Sequence, residues 1–478
     1  MKTIKTTLLL LAALLTTACG GDDGDDTPAV TISLRSQSIS NGAEVDAATT
    51  TVLTLTYTQK VAIASNADIT LNGKQVTAAS NRVTATAIDI PLALEDGNDY
   101  VVQVAAGAVV LSSDSKVQAP AVTVSFKTSS KQPIVNPNIV PTPMTTTGDA
   151  AKKLYTYLYE QYGRKTISGV MADVNWNNAL AEKVKAVTGK YPAINCYDFI
   201  HIYVPDGNGW IDYSDISPVT TWAKAGGIVE LMWHFNVPTS ETTEIQRSGS
   251  GVTVRPSETT FKASRALVSG TWENRFFYEQ LERVAAVILQ LQEAGIAAIW
   301  RPFHEAAGNM TMKNGRGSAW FWWGADGDET FRSLWTAMFY YFQQKGINNL
   351  LWTWTAQSYN GNSAAYDEDY GWYPGPGYVD IIARDLYGSN ADKNAEEFGL
   401  LQARYPDKMV ILGECGHSGD NQPGLISDCW SRQARWGSFM VWYEHNYNNT
   451  GTMASAAWWQ DAMSSANVIT RDQLPSLR

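Results

Sequence analysis

The chain has 478 residues, 44% of them hydrophobic, and carries a formal net charge of −11. An acidic balance of this size argues against nucleic acid as a partner and suits a neutral polysaccharide. Beyond Cys19 only Cys196, Cys415 and Cys429 remain; an odd number is no disulfide framework, and whether Cys415 and Cys429 pair is left open by the sequence.

In chain order, Lys2 and Lys5 precede an apolar run from Leu8 to Leu15, too short to span a bilayer permanently. Residues 1–18 therefore read as a secretory signal peptide. The sequence Leu15-Thr16-Thr17-Ala18-Cys19-Gly20 resembles a bacterial lipoprotein signal, in which Cys19 becomes the lipidated N-terminus. Thr16 stands where that signal usually has leucine, and the alternative is an ordinary signal peptide cleaved nearby. Residues 19–27, rich in Gly and Asp, cannot build a core and read as a flexible tether. The tether resembles the acidic export tag that places lipoproteins on the outer face of some Gram-negative outer membranes. A surface-exposed outer-membrane lipoprotein, held to the membrane by lipid alone, is the expectation.

Residues 28–128 are rich in Thr, Val and Ala. Leu53, Leu55 and Tyr57 alternate with Thr54, Thr56 and Thr58, and Val122, Val124 and Phe126 alternate in the same way, the period of half-buried strands. Turn signals such as Asn72-Gly73 and Glu95-Asp96-Gly97-Asn98 lie between them. A small β-sandwich is expected, and segments such as Ile69–Lys74 and Tyr100–Val109 resemble a bacterial Ig-like domain. It holds no tryptophan, so it reads as a spacer rather than a sugar-binding module, which needs flat aromatic platforms.

Pro133, Pro137, Pro141 and Pro143 punctuate a semi-rigid linker over residues 129–146. Residues 147–478 hold all 18 tryptophans and alternate strand and helix. Strand-like runs end at Val170, Tyr197, Trp233, Trp300, Trp354, Leu386, Leu412 and Trp442. Leu281, Val284, Ile288 and Leu291 share one helical face, stopped by Gly295. Phe331, Leu334, Trp335, Met338, Phe339 and Phe342 share another, with Asp328 as the expected N-cap. Eight such alternations predict a (β/α)₈ TIM barrel, so the fold class is α/β, preceded by the all-β sandwich.

Barrels of this kind carry their chemistry at the C-terminal strand ends. The fourth run, Ile296–Glu305, finishes on Arg301, His304 and Glu305; the seventh, Met409–Gly416, closes on Glu414. Two carboxylates facing each other across a barrel mouth suit retaining glycoside hydrolysis, which requires an acid and a nucleophile roughly 5–5.5 Å apart. A zinc helix is excluded, because His-Glu-x-x-His would need histidine where Gly308 stands.

The stretches Trp300–Glu305 and Gly413–Gly416 resemble the two signatures of glycoside hydrolase family 26. Met232–Pro238, Trp320–Gly324 and Asp385–Gly388 resemble its other motifs, so the resemblance covers essentially the whole C-terminal domain. It implies a retaining endo-β-1,4-mannanase without metal or other cofactor, acting as a monomer on β-mannan polysaccharide and oligosaccharide. It implies Glu305 as acid/base and Glu414 as nucleophile. It implies that His234 binds sugar, that His304 bonds the sugar or the nucleophile, and that Tyr387 donates to Glu414, with Asp385 beside it as a substrate contact. One of Trp322 and Trp323 would face outward to stack on sugar, and Trp442 would floor the cleavage point. Arg301 reads equally as a structural partner of a barrel carboxylate or as a site residue. Cleavage of β-1,3-xylan or mixed-linkage glucan is a reading within the same chemistry. A non-catalytic glycan-binding lipoprotein is disfavoured by the presence of both glutamates.

Overall fold

The computed structural model describes residues 30–45, 47, 50–80, 85–95, 97–128, 138–144, 148–173, 176–204, 211–246, 249–308, 319–357, 371–446 and 449–477. The signal peptide, Cys19 and the acidic tether lie outside the described residues, as do Pro133 and Pro137. The chain divides into two compact units, residues 1–131 and 132–478.

In the first unit the period-2 pattern becomes strand. Val52–Tyr57 buries Leu53, Leu55 and Tyr57 and leaves the threonines between them half-exposed. Asn72 and Gly73, with φ of 47° and 77°, form the two-residue turn that joins Leu71 to Lys74, the backbone such tight hairpins require. Sheets of four, three and five strands enclose a core that includes Leu53, Leu55, Ile88, Ile90, Val102 and Val124. The unit is all-β with largely antiparallel sheets, consistent with an Ig-like sandwich.

In the second unit, near-continuous apolar runs become parallel strands buried on both faces. Among the described residues these are β1 (Thr166–Met171), β2 (Ile194–Asp198), β3 (Ile228–Trp233), β4 (Ala298–Pro302), β5 (Leu350–Ala356), β6 (Ile381–Tyr387), β7 (Met409–Gly416) and β8 (Ser438–Val441). Each pairs with the next, and β1 pairs with both β2 and β8, so the sheet closes into a barrel. The amphipathic helices pack outside. Helix Trp272–Glu293 buries Leu281, Val284, Ile288 and Leu291, and Gly295, at φ 71°, follows its end.

Helix Asp328–Gln344 corrects one expectation. Gly327, not Asp328, is the N-cap, at φ 89°, a conformation costly for any residue with a Cβ. Asp328 is instead the first helical residue and pairs with Arg332 one turn on, at 2.6 Å. The expected linker also differs at its C-terminal end. Ile139 is buried in the barrel unit's core, Tyr155 donates to the Val140 carbonyl, and the Met144 amide donates to Asp380. Cys196, Cys415 and Cys429 are buried free thiols.

Candidate active site

Side chains alternate across a strand, so every second residue of β2, β3 and β4 enters the barrel. Met171, Cys196, Met232 and Met440 form a buried sulfur-rich layer contributed by β1, β2, β3 and β8. Toward the mouth the lining turns polar and charged, with Asp198 on β2, His234 just after β3, Arg301 on β4, Asp385 on β6 and Glu414 on β7, while Glu230 of β3 lies deeper, two residues before Met232.

Glu414 reaches this interior through a break in strand register. Arg384 pairs with Leu412 but Asp385 pairs with Glu414, so Gly413 is the extra residue of a bulge that re-aims the strand end. A Cβ at position 413 would stand 2.7 Å from Asp385 Oδ1 and 2.9 Å from the Ala383 Cβ, which requires glycine there. Arg301 Nη2 donates to Glu414 Oε1 at 2.5 Å, and the Tyr387 hydroxyl donates to Oε2 at 2.6 Å. Both oxygens of a carboxylate that is 4% exposed are thus occupied by donors, one of them cationic.

Glu305 lies beyond the end of β4, where the backbone is contorted. Phe303 and Glu305 have φ of 48° and 53°, unfavourable for side chains with a Cβ, and strain of this kind gathers at functional sites. The segment is held by what packs beneath it. Trp323 Nε1 donates to the His304 carbonyl at 2.9 Å, and Gly324 comes so close to Ala306 that a Cβ would sit 2.0 Å from its carbonyl oxygen. Burial raises the Glu305 carboxyl well above the ordinary carboxylate range; the charges of Asp385 and Glu414 add to the shift, and Arg301 opposes it. The mouth therefore presents one carboxyl that holds a proton and one carboxylate that is bound by donors.

His234 accompanies the pair. Its Nδ1 lies 2.6 Å from Asp198 Oδ2, while its backbone amide donates to Oδ1, so one carboxylate sets the ring's orientation and leaves Nε2 toward the mouth. Trp442, partly exposed just after β8, lies with its ring 5.6 Å from that of His234.

Four expected contacts are placed differently. Trp322 and Trp323 are both buried; Trp322 donates to the Phe235 carbonyl and Trp323 stacks on Phe321, so neither presents a face to sugar. The 3-10 turn Trp322–Gly324 drives both indoles under the acid loop. Asp385 is enclosed, with its side chain buried and paired with Arg301 at 3.2 Å. His304 is 1% exposed, and its Nε2 is 3.9 Å from Glu414, beyond hydrogen-bond range. Burial, with His234 and Arg301 nearby, lowers its imidazole well below the ordinary range and keeps it neutral.

Two residues at the mouth did not stand out in the sequence. Asp198 had as its signal a carboxylate following Tyr197 at a strand end. Trp320, at the head of the Trp320–Gly324 motif, is 44% exposed and packs against Gly308. Glu230, inside an apolar run, gave no signal of a site role. Among the described residues no cluster of metal-ligating side chains is found.

The profile of glycosyl hydrolase family 26 matches residues 143–473. A mannan endo-1,4-beta-mannosidase of Thermothelomyces thermophilus is 30% identical over 304 residues, covering 63% of this chain and 56% of that protein. Mannan endo-1,4-beta-mannosidase B of Piromyces is 28% identical over 353 residues, covering 72% of this chain and 54% of its own length. This chain thus spans about half the length of the curated relatives it matches. Among solved structures, the family 26 domain of an endo-beta-mannanase/endo-beta-glucanase from Prevotella bryantii is 56% identical, with a TM-score of 0.66 over 69% of this chain and 97% of that one. A beta-mannanase from a symbiotic protist of the termite Reticulitermes speratus, complexed with gluco-manno-oligosaccharide, is 30% identical with a TM-score of 0.55, covering 71% and 99%. With its signature carboxylates at the mouth of a barrel that the profile matches almost from end to end, the chain belongs to glycosyl hydrolase family 26.

Proposed function

We propose that this chain is a retaining endo-β-1,4-mannanase that cleaves internal bonds of mannan, galactomannan or glucomannan. One observation carries the reading: Glu305, held protonated, shares a barrel mouth with Glu414, a carboxylate bound by Arg301 and Tyr387. Double displacement needs these two states together. Glu414 attacks the anomeric carbon as Glu305 gives its proton to the leaving oxygen, forming a glycosyl ester. Glu305, now ionised, takes a proton from water, which attacks the same carbon and releases Glu414. His234, aimed by Asp198, offers its other ring nitrogen to a sugar hydroxyl, and the exposed faces of Trp442 and Trp320 offer stacking surfaces. The named activities of the relatives support mannan as the substrate class. Soluble protein incubated with galactomannan, glucomannan, β-1,3-xylan and mixed-linkage glucan, with products sized, tests this. Manno-oligosaccharides of mixed length are expected; activity confined to xylan or glucan would move the enzyme to those substrates, and no hydrolysis at all would leave a glycan binder.

For the N-terminal third we propose a lipid anchor at Cys19, an acidic tether and a spacer domain that set a monomeric enzyme on the outer face of the outer membrane. The lipoprotein-like signal and the run of Gly and Asp after it support this. Protease treatment of intact cells tests it: protection of the enzyme would place it inside the outer membrane instead.

A further inference from the structure

Arg301 is fully buried, and its guanidinium faces three carboxyls. Two belong to the site already described: Glu414 on Nη2 and Asp385 on Nη1. The third, Glu230 of β3, lies 3.5 Å from Nε. It is 1% exposed and lies two residues before Met232 of the sulfur layer, too deep for any sugar to reach. Among the described residues neither Glu230 Oε1 nor Arg301 Nε has a hydrogen bond, and they face one another. Burying two such atoms without a partner is costly, and their approach offsets part of that cost for both.

We propose that Glu230 is a positioning residue: it seats the far edge of Arg301, so that the planar guanidinium presents Nη2 squarely to Glu414. A guanidinium held at Nε, Nη1 and Nη2 by residues of three different strands cannot turn away from the nucleophile. The charge count agrees. Arg301 alone contacts three buried carboxyls, His304 is neutral and Arg384 is paired with Glu397, so burial raises both Asp385 and Glu230 and favours a proton on at least one of them. Burial pushes the Glu230 carboxyl up to about 7, with Arg301 opposing and Glu414 adding to the shift. The groups facing it are the Cys196 thiol from β2, Arg301 from β4, and Asp385 and Glu414 from β6 and β7. At slightly acidic pH Glu230 thus seats Arg301 as a neutral acid and leaves the cation to Glu414. Once ionised it competes for that cation.

This inference rests on Glu414 being the nucleophile, and the test separates the two. A 2-deoxy-2-fluoro-β-mannobiosyl fluoride forms a bond from a Glu414 oxygen to C1 while fluoride leaves as the anion, with no proton needed from Glu305. The adduct is read by intact mass. Near pH 6, Glu230→Met should be labelled about tenfold more slowly or worse, and Glu230→Gln within about threefold of wild type. In an Arg301→Lys background, Glu230→Met should add little. Wild-type labelling should fall as pH rises through about 7, and the Gln variant, whose fold an isosteric amide preserves, should lack that fall. An unlabelled wild type would sink the nucleophile assignment and this inference with it. A labelled wild type would overturn this inference alone in any of three cases: Glu230→Met matches its rate, the Met effect adds in full to that of Arg301→Lys, or the Gln pH profile is unchanged.

Discussion

The hydroxyl of Tyr387 donates to Glu414 Oε2 at 2.6 Å, from the strand that neighbours the one carrying Glu414. One charge-assisted hydrogen bond of this kind contributes about 1.5–3 kcal/mol, and Tyr387→Phe should therefore lower kcat roughly 10–100-fold. KM should change little, because the hydroxyl is occupied by the enzyme's own carboxylate. Steady-state kinetics on galactomannan check this; an unchanged kcat would mean the bond is not used in the reaction.

Removing the proposed acid/base or the proposed nucleophile should give distinguishable enzymes. Glu305→Ala should keep more activity on aryl glycosides, whose leaving groups need little protonation, and azide should rescue it by attacking the glycosyl-enzyme without a base. Glu414→Ala should lose both activities. Identical behaviour of the two variants would contradict the assigned roles.

The basic limb of the pH profile should report Glu305. Its carboxyl is raised first by burial and next by the Asp385 charge, and loss of its proton as pH rises through that raised value should lower activity. Asp385→Asn removes a negative neighbour, which lowers the Glu305 value and should move the basic limb of kcat/KM to lower pH. A limb that stays in place would show that Glu305 does not feel Asp385.

Gly413 should tolerate no side chain. Gly413→Ala places a Cβ 2.7 Å from Asp385 Oδ1 and 2.9 Å from the Ala383 Cβ, and relief requires moving the strand that carries Glu414. Overpacking of this sort costs about 1–3 kcal/mol, and kcat should fall with stability. Thermal unfolding and turnover measured together check it; wild-type values for both would mean the bulge is not needed.

Residues 132–478 form one compact unit and should fold alone with full turnover on soluble mannan. Starting instead at Gly148 removes Ile139 from the core, along with the Val140 and Met144 hydrogen bonds. Burial of one such side chain is worth about 1.5–3 kcal/mol, so the shorter protein should unfold at a lower temperature. If the longer protein lost activity on polymer but kept it on short oligosaccharides, the N-terminal domain would be acting on glycan rather than as a spacer.

The strand and helix periods, the barrel and the positions of Glu305 and Glu414 were legible in the chain, and Tyr387 and His234 through their likeness to the family's motifs. The two glutamates follow a local pattern: an apolar run of strand length that closes on a polar group belongs at the C-terminal mouth whatever its neighbours are. The partners of those groups were not legible. Glu230 reads as one more residue of a buried strand in Ile228–Trp233, and only the pairing of that strand with Ala298–Pro302, distant in sequence, brings it to Arg301. The same holds for Asp385, which a strand-end pattern offers to the substrate and the closed barrel encloses against the guanidinium. Adjacent tryptophans look alike in sequence, and it is the 3-10 turn that sends Trp322 and Trp323 inward while Trp320 stays exposed. Residue type and period are written along the chain. Which charge meets which across the barrel depends on strand stagger and on a single bulge at Gly413, and those exist only once the sheet has closed.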